Sequence, residues 1–296
     1  MNRRQFTKTM ALLPLAGTMT KLNDLHKMSA ALKNTEKMPA LFLGHGSPMN
    51  AIEENEFVAG FRKAALEIPK PNAILCISAH WETRGTAVTV MDKPKTIHDF
   101  TGFPPALYEV EYPAPGSPDL ARETKELVKK TDVQLDEAWG LDHGAWSVIK
   151  HLYPKADVPV IQMSLDRYQP AQYHYDLAKE IASLRDKGVL IIGSGNMVHN
   201  LGLLAWDKLN QEGFAFDWAK DASEKMKNFI LGGNHDQLIK YKEQGRAFNL
   251  AIPTAEHYLP LLYVLALKNE KDNVSLFNDK AVAGSLTMTS VKIAAD

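Results

Sequence analysis

"LFLGHGSP", residues 41–48, is the stretch on which the reading of this chain turns. Its apolar start, Leu41 to Leu43, has the composition of a buried strand. Gly44 and Gly46 then flank one imidazole, His45, and Ser47-Pro48 close the run. A histidine that only fills space in a core needs no glycine on either side. Glycines let the backbone turn sharply and let a ligand or a second loop come close.

The same form recurs further along. Short apolar runs rich in branched residues predict buried strands over 40–43, 73–78, 87–91, 158–163 and 189–192, with a weaker candidate over 284–289. Helical patterns fall over 56–65, 118–130, 145–152, 171–187, 216–231, 236–244 and 257–267. The alternation predicts an α/β fold, a single domain with a central sheet flanked by helices. In such sheets ligands bind beyond the carboxyl ends of the strands. His45 lies just past the first strand. "ILCISAHWE" puts His80 past the second, and "VLIIGSGNMVHNL" puts His199 past a later one. Histidines at three strand ends can converge, which predicts a site at the C-terminal ends of the strands.

Two more histidines have suggestive settings. In "AIPTAEHYLPLLYVLAL", Thr254 suits a helix N-cap, with Glu256 and His257 in the first turn. In "LDHGAWS", His143 sits in a loop before an amphipathic helix, and a histidine that holds no metal is the default general acid–base. Ligand histidines need their second ring nitrogen held by a partner, and Glu82 and Asp142 are candidates. Against this, any single histidine is more often an ordinary polar residue, and His26, His151, His174 and His235 are read so. Residues 92–117 form a long Pro- and aromatic-rich stretch, of a kind usually functional. Within it His98 is either a substrate contact or merely exposed. Phe100, Phe103, Tyr108 and Tyr112 either cap the core or wall a small-molecule site.

The bulk composition excludes several classes. The chain has 296 residues, a formal net charge of -1 and a single cysteine, Cys76. No basic excess argues for nucleic acid. One cysteine rules out an intrachain disulfide and a cysteine-built metal cluster, so any metal must be held by His, Asp or Glu. There is no G-x-S-x-G elbow, no P-loop, and only a fragment of the dinucleotide fingerprint in "GSGNMVHNL".

Residues 1–37 are read as an export signal and linker, with the catalytic domain spanning 38–296. Arg3 and Arg4 precede Phe6 and Lys8, and a short apolar stretch runs from Met10 to Ala16. Arg-Arg-x-Phe-x-Lys is similar to a twin-arginine signal. The apolar stretch is too short for a stable membrane span. Periplasmic export is therefore expected, the alternatives being a cytoplasmic protein or one tethered by an uncleaved signal.

Taken together, "GHGSP", "SAHWE", "DFTGFPPALYEVEYPAPG", "LDHGAWS", "GSGNMVHNL" and "PTAEHYLPLLY" resemble, in order, the 4,5-DOPA extradiol dioxygenase family of class III extradiol ring-cleavage dioxygenases. The resemblance runs from about residue 38 to the C-terminus. It implies one metal ion per chain, Zn²⁺ or Fe²⁺, held by His45, His80, His199 and His257. It implies His143 as acid–base or substrate-hydrogen-bonding group, with His199 as second choice for the base. The implied substrates are O₂ and a small catechol such as DOPA, stacked on the 98–112 loop through His98, Phe103 and Tyr108. Ring cleavage calls for open coordination positions and a redox-capable ion. A closed four-histidine zinc site would not explain it. The alternatives are a zinc-dependent hydrolytic or Lewis-acid enzyme, and an exported metal- or catechol-binding protein. The oligomeric state is not legible in the sequence.

Overall fold

The computed structural model describes residues 37–209 and 211–295. The twin-arginine-like segment lies outside the described residues. The strands are β1 (Ala40–Gly44), β2 (Ala73–Thr83), β3 (Ala87–Thr89), β4 (Gln134–Asp136), β5 (Val160–Asp166), β6 (Val189–Gly195), β7 (Asp272–Phe277), β8 (Ala281–Val282), β9 (Leu286–Thr287) and β10 (Ser290–Ala295). Eight of them form one sheet in the order β4-β3-β5-β2-β6-β1-β10-β7. The central four, β5, β2, β6 and β1, are parallel, while β10 and β7 close one side antiparallel. At the other side β3 pairs antiparallel to β5. The molecule is thus a single α/β domain around a mixed sheet.

The central strands are buried on both faces, which explains their unbroken apolar runs. Ala40, Phe42, Leu75, Ile77, Val189 and Ile191 face one core cluster; Leu41, Leu43, Ile74, Cys76, Leu190 and Ile192 face the other. The first cluster is covered by the helices Ala171–Glu180, Asp217–Leu231, Arg246–Ala251 and Leu259–Ala266. The second is covered by Glu56–Leu66 and His143–Leu152.

Differences from the expected elements have local causes. The pattern over 171–187 ends as an α-helix at Glu180 and continues as a 3-10 turn, Ala182–Lys187, closed by Gly188 at φ 77°. The candidate over 284–289 contributes only the two-residue β9, paired with β8 outside the main sheet. Strands β7 and β10 were not expected. Strand β7 is the sheet's edge and its exposures alternate, while β10, paired between β1 and β7, mixes half-exposed with buried positions; neither carries a long apolar run.

Candidate metal centre and active site

Register aligns the three strand ends. Gly44 of β1 pairs with Gly195 of β6, and Ser78 of β2 pairs with Ser194. His45 follows Gly44 directly. Gly46, at φ +62°, supplies the left-handed turn that stops the chain there. His80 is not past its strand but within it, since β2 runs on to Thr83. Between Ile77 and Glu82 the register against β5 shifts, so that Ser78 to Trp81 stand opposite Ser164 alone. Such a bulge re-aims side chains. His257 also differs from expectation, because the helix begins at Leu259 and leaves His257 in the preceding turn. That turn is seated on the sheet end: Asn196 N donates to His257 O at 2.9 Å. A Cβ on Gly195 would stand 2.1 Å from the same oxygen, so only glycine admits this approach.

His45, His80 and His257 converge, with one ring nitrogen of each lying within 4.8 Å of the others. Their tautomers follow from their partners. Ser194 Oγ donates its only proton to Gly144 O, so it accepts from His45 Nδ1, 3.0 Å away. Glu256 Oε1 lies 3.0 Å from His257 Nδ1, and Asp99 Oδ2 lies 3.3 Å from His80 Nδ1. Both carboxylates act as acceptors, so all three rings carry their proton on Nδ1 and a lone pair on Nε2. Yet His45 Nε2 and His80 Nε2 stand only 3.2 Å apart. Two facing lone pairs repel unless a cation lies between them, and ~3.3 Å is the separation of two ligands on one tetrahedral ion with Zn–N near 2.05 Å. Burial first, then the charges of neighbouring histidines, hold the His45 and His80 pKa values well below the ordinary imidazole range, which keeps them neutral. The donor set therefore fits a metal.

His199 stands differently. Its ring stacks on His257 at 3.5 Å between centroids and 6° between planes. The nitrogens that converge with it belong to His257, together with a Glu256 oxygen, not to His45 and His80. Burial, then His257, lowers its pKa to about 3 against the opposing pull of Glu256.

His143 opens its helix rather than preceding it, with Asp142 as N-cap accepting from Ala145 N at 3.1 Å. Its ring lies 3.9 Å from that of His80. Asp99 serves both rings. Its Oδ1 accepts from His143 N at 2.8 Å, and its Oδ2 lies 3.0 Å from His143 Nδ1 and 3.3 Å from His80 Nδ1. Burial alone would raise the Asp99 pKa, but its contacts with His143 outweigh that and hold it low. Sequence reasoning gave Asp99 no role. The available signal was its place in the 92–117 loop, beside His98 in "HDFTGF".

The orienting roles expected of Glu82 and Asp142 fall instead to Asp99, Glu256 and Ser194. Glu82 lies on the far side of the bulge and is exposed. Asp142 is buried and accepts from Ser78 Oγ at 2.6 Å and Gln162 Nε2 at 2.7 Å, bracing the strand end that carries His80.

A cavity of about 610 Å³ opens onto His45, His80, His143, His199 and His257. Phe100 and Phe103 form one wall; Leu201, Leu204 and Trp206 form another. His98 and Tyr108 do not line it. His98 Nε2 donates to Val110 O at 3.0 Å, and both rings pack behind Phe100. Tyr112 is core, its hydroxyl donating to Tyr153 O.

Residues 39–289 match the family described as the catalytic LigB subunit of aromatic ring-opening dioxygenase. The chain belongs to this family. A relative from Escherichia coli (strain K12) named 4,5-DOPA dioxygenase extradiol is 45% identical over 266 residues, covering 88% of this chain and 97% of the relative. Relatives of the same name from Beta vulgaris and Portulaca grandiflora are 36% and 32% identical, covering 85% and 86% of this chain and 94% of each relative. A crystal structure of an uncharacterized protein from Escherichia coli K12 superposes with a TM-score of 0.75 at 40% identity, covering 87% of this chain and 100% of that one. The chain is a catalytic, metal-dependent member of the extradiol ring-cleavage dioxygenases.

Proposed function

We propose that this enzyme opens the ring of DOPA or a closely related small catechol. Both atoms of O₂ are inserted and the ring C–C bond beside the hydroxyls breaks. The observation that carries the reading is the Asp99 carboxylate. It joins a metal-ligand histidine, His80, to a free histidine, His143, beside an aromatic-walled cavity. The relatives' names supply the substrate class.

His45, His80 and His257 hold the ion; His199 stacks on the third ligand and is the second candidate for a proton-transfer role. When bound, the ion supplies Lewis acidity toward the catechol oxygens and, as Fe²⁺, a redox partner for O₂. His143 lines the cavity while Asp99 stands at its Nδ1, which leaves Nε2 free to act as the base that takes a catechol proton. Phe100 and Phe103 press on the ring face and exclude water. The proposed ion is Fe²⁺, with Zn²⁺ able to replace it because the first-row affinity order favours zinc at nitrogen sites. A donor set of neutral nitrogens also suits zinc, which keeps a Lewis-acid enzyme as the second reading.

Anaerobic reconstitution with Fe²⁺ or Zn²⁺, followed by oxygen uptake and product absorbance with DOPA and simple catechols, tests this. Stoichiometric oxygen use and a yellow ring-opened product with iron alone are expected. No oxygen uptake with either metal overturns the dioxygenase reading.

Export to the periplasm is proposed from the twin-arginine-like run at Arg3 and Arg4. Cell fractionation of the native chain against Arg3→Lys/Arg4→Lys tests it, and a cytoplasmic native chain refutes it.

A further inference from the structure

The catechol reading leaves open which side chain the catechol bears, and the charges around the cavity bear on this. Among the described residues, its lining includes one carboxylate, Glu53, and neither lysine nor arginine. Two more carboxylates, Asp99 and Glu256, stand behind the ligand histidines. The fixed side-chain charge around the site is therefore negative. The histidine end is closed, with His45 only 2% exposed, whereas Glu53 is exposed. Glu53 thus stands at the mouth, where the substituent of a ring held by its two oxygens at the far end must project.

Its position is set by the backbone. Glu53 N donates to Met49 O at 3.0 Å. On one side of it, Asn50 Nδ2 donates to His45 O at 2.9 Å, which ties the loop to a metal ligand. On the other, Asn55 Nδ2 donates to Asn50 Oδ1 at 2.8 Å while Asn55 Oδ1 accepts from Val58 N and caps the next helix. The adjacent Glu54 is engaged by Arg62 through two hydrogen bonds of 2.6 and 2.7 Å. The Glu53 carboxylate has no such partner among the described residues.

We infer that Glu53 makes this cavity selective for catechols whose side chain ends in an ammonium group, and disfavours those ending in a carboxylate alone. This rests on the catechol reading above. On DOPA, Glu53 reads the amine, and among the described residues no side-chain cation lining the cavity reads the carboxylate.

Three catechols of matched chain length test it: dopamine, 4-ethylcatechol and 3-(3,4-dihydroxyphenyl)propionate. Their affinities for the metal-reconstituted full chain are measured anaerobically by calorimetry, and their KM values by oxygen uptake. At low salt dopamine is expected to bind about tenfold more tightly than the propionate, as attraction and repulsion at one partly screened charge combine. The ratio narrows with added salt. Glu53→Gln brings it close to one, and Glu53→Lys inverts it. Equal binding of the two charged probes by the native chain, or an unchanged ratio in Glu53→Gln, overturns the inference while the catechol reading stands. Failure of 4-ethylcatechol to bind at all overturns both.

Discussion

Ser194 has one hydroxyl proton and gives it to Gly144, and that choice fixes the tautomer of His45. Ser194→Ala removes the acceptor from a buried Nδ1–H, so metal affinity is expected to fall about 10–100-fold, read by competition with a chelator. The proposed ligands themselves are less forgiving. His45→Ala or His80→Ala is expected to leave the purified protein without metal after reconstitution, as judged by elemental analysis. His143→Ala should keep the metal and lose about 10²–10⁴-fold in kcat. Loss of metal from His143→Ala would mean that it is a ligand, and the proton-transfer assignment would fall. At this scale the sequence was most legible, because histidines recurring after several strands, one of them between Gly44 and Gly46, are hard to read as unrelated. Asp99 was not legible. A carboxylate reaching from a loop to rings on two other elements leaves no local pattern.

Among the elements, the sheet end and the turn carrying His257 fit against each other through Gly195. Gly195→Ala would push a Cβ into the His257 carbonyl, 2.1 Å from its ideal position, and backbone cannot move aside cheaply. A loss of about 1–3 kcal/mol in unfolding free energy is expected, together with reduced metal content. A variant as stable and as well loaded as the native chain would show that the turn can shift. Strands whose two faces are both buried could be read from their apolar runs, so β1, β2, β5 and β6 were found nearly to the residue at their starts. The bulge in β2 was not, since nothing in "SAHWE" announces that four residues will face one. Strand β7, at the edge, and β10 beside it escaped because their half-exposed positions fall among buried ones and mix polar with apolar residues.

Across the whole molecule, one buried ion pair ties the sheet's edge to its centre. Arg185, from the 3-10 turn before β6, donates to Asp272 at the start of β7 through bonds of 2.7 and 3.2 Å, and both side chains are 0% exposed. Arg185 also donates to Met38 O and Leu267 O, which gathers β1 and the last helix to the same point. Asp272→Asn leaves a buried guanidinium uncompensated and is expected to cost about 3–5 kcal/mol in chemical denaturation. Burial raises the Asp272 pKa, but the bonds from Arg185 and Asn269 N outweigh it, so the folded value lies below the ordinary one. The stabilisation from Asp272 is therefore present above about pH 4 and lost as pH falls through the lowered folded value. Asp272→Asn should lack this component of the acid transition. The sequence by itself determined the α/β class, the central parallel strands, and the placing of His45, His80 and His199 near the carboxyl ends of their strands. These depend on local periodicity and on which residues follow each strand. Only the tertiary structure decided that His199 stacks on His257, that Asp99 joins His80 to His143, and that His98 and Tyr108 stand behind the cavity wall. Those outcomes depend on distances between side chains from separate loops, which packing sets and sequence spacing does not encode.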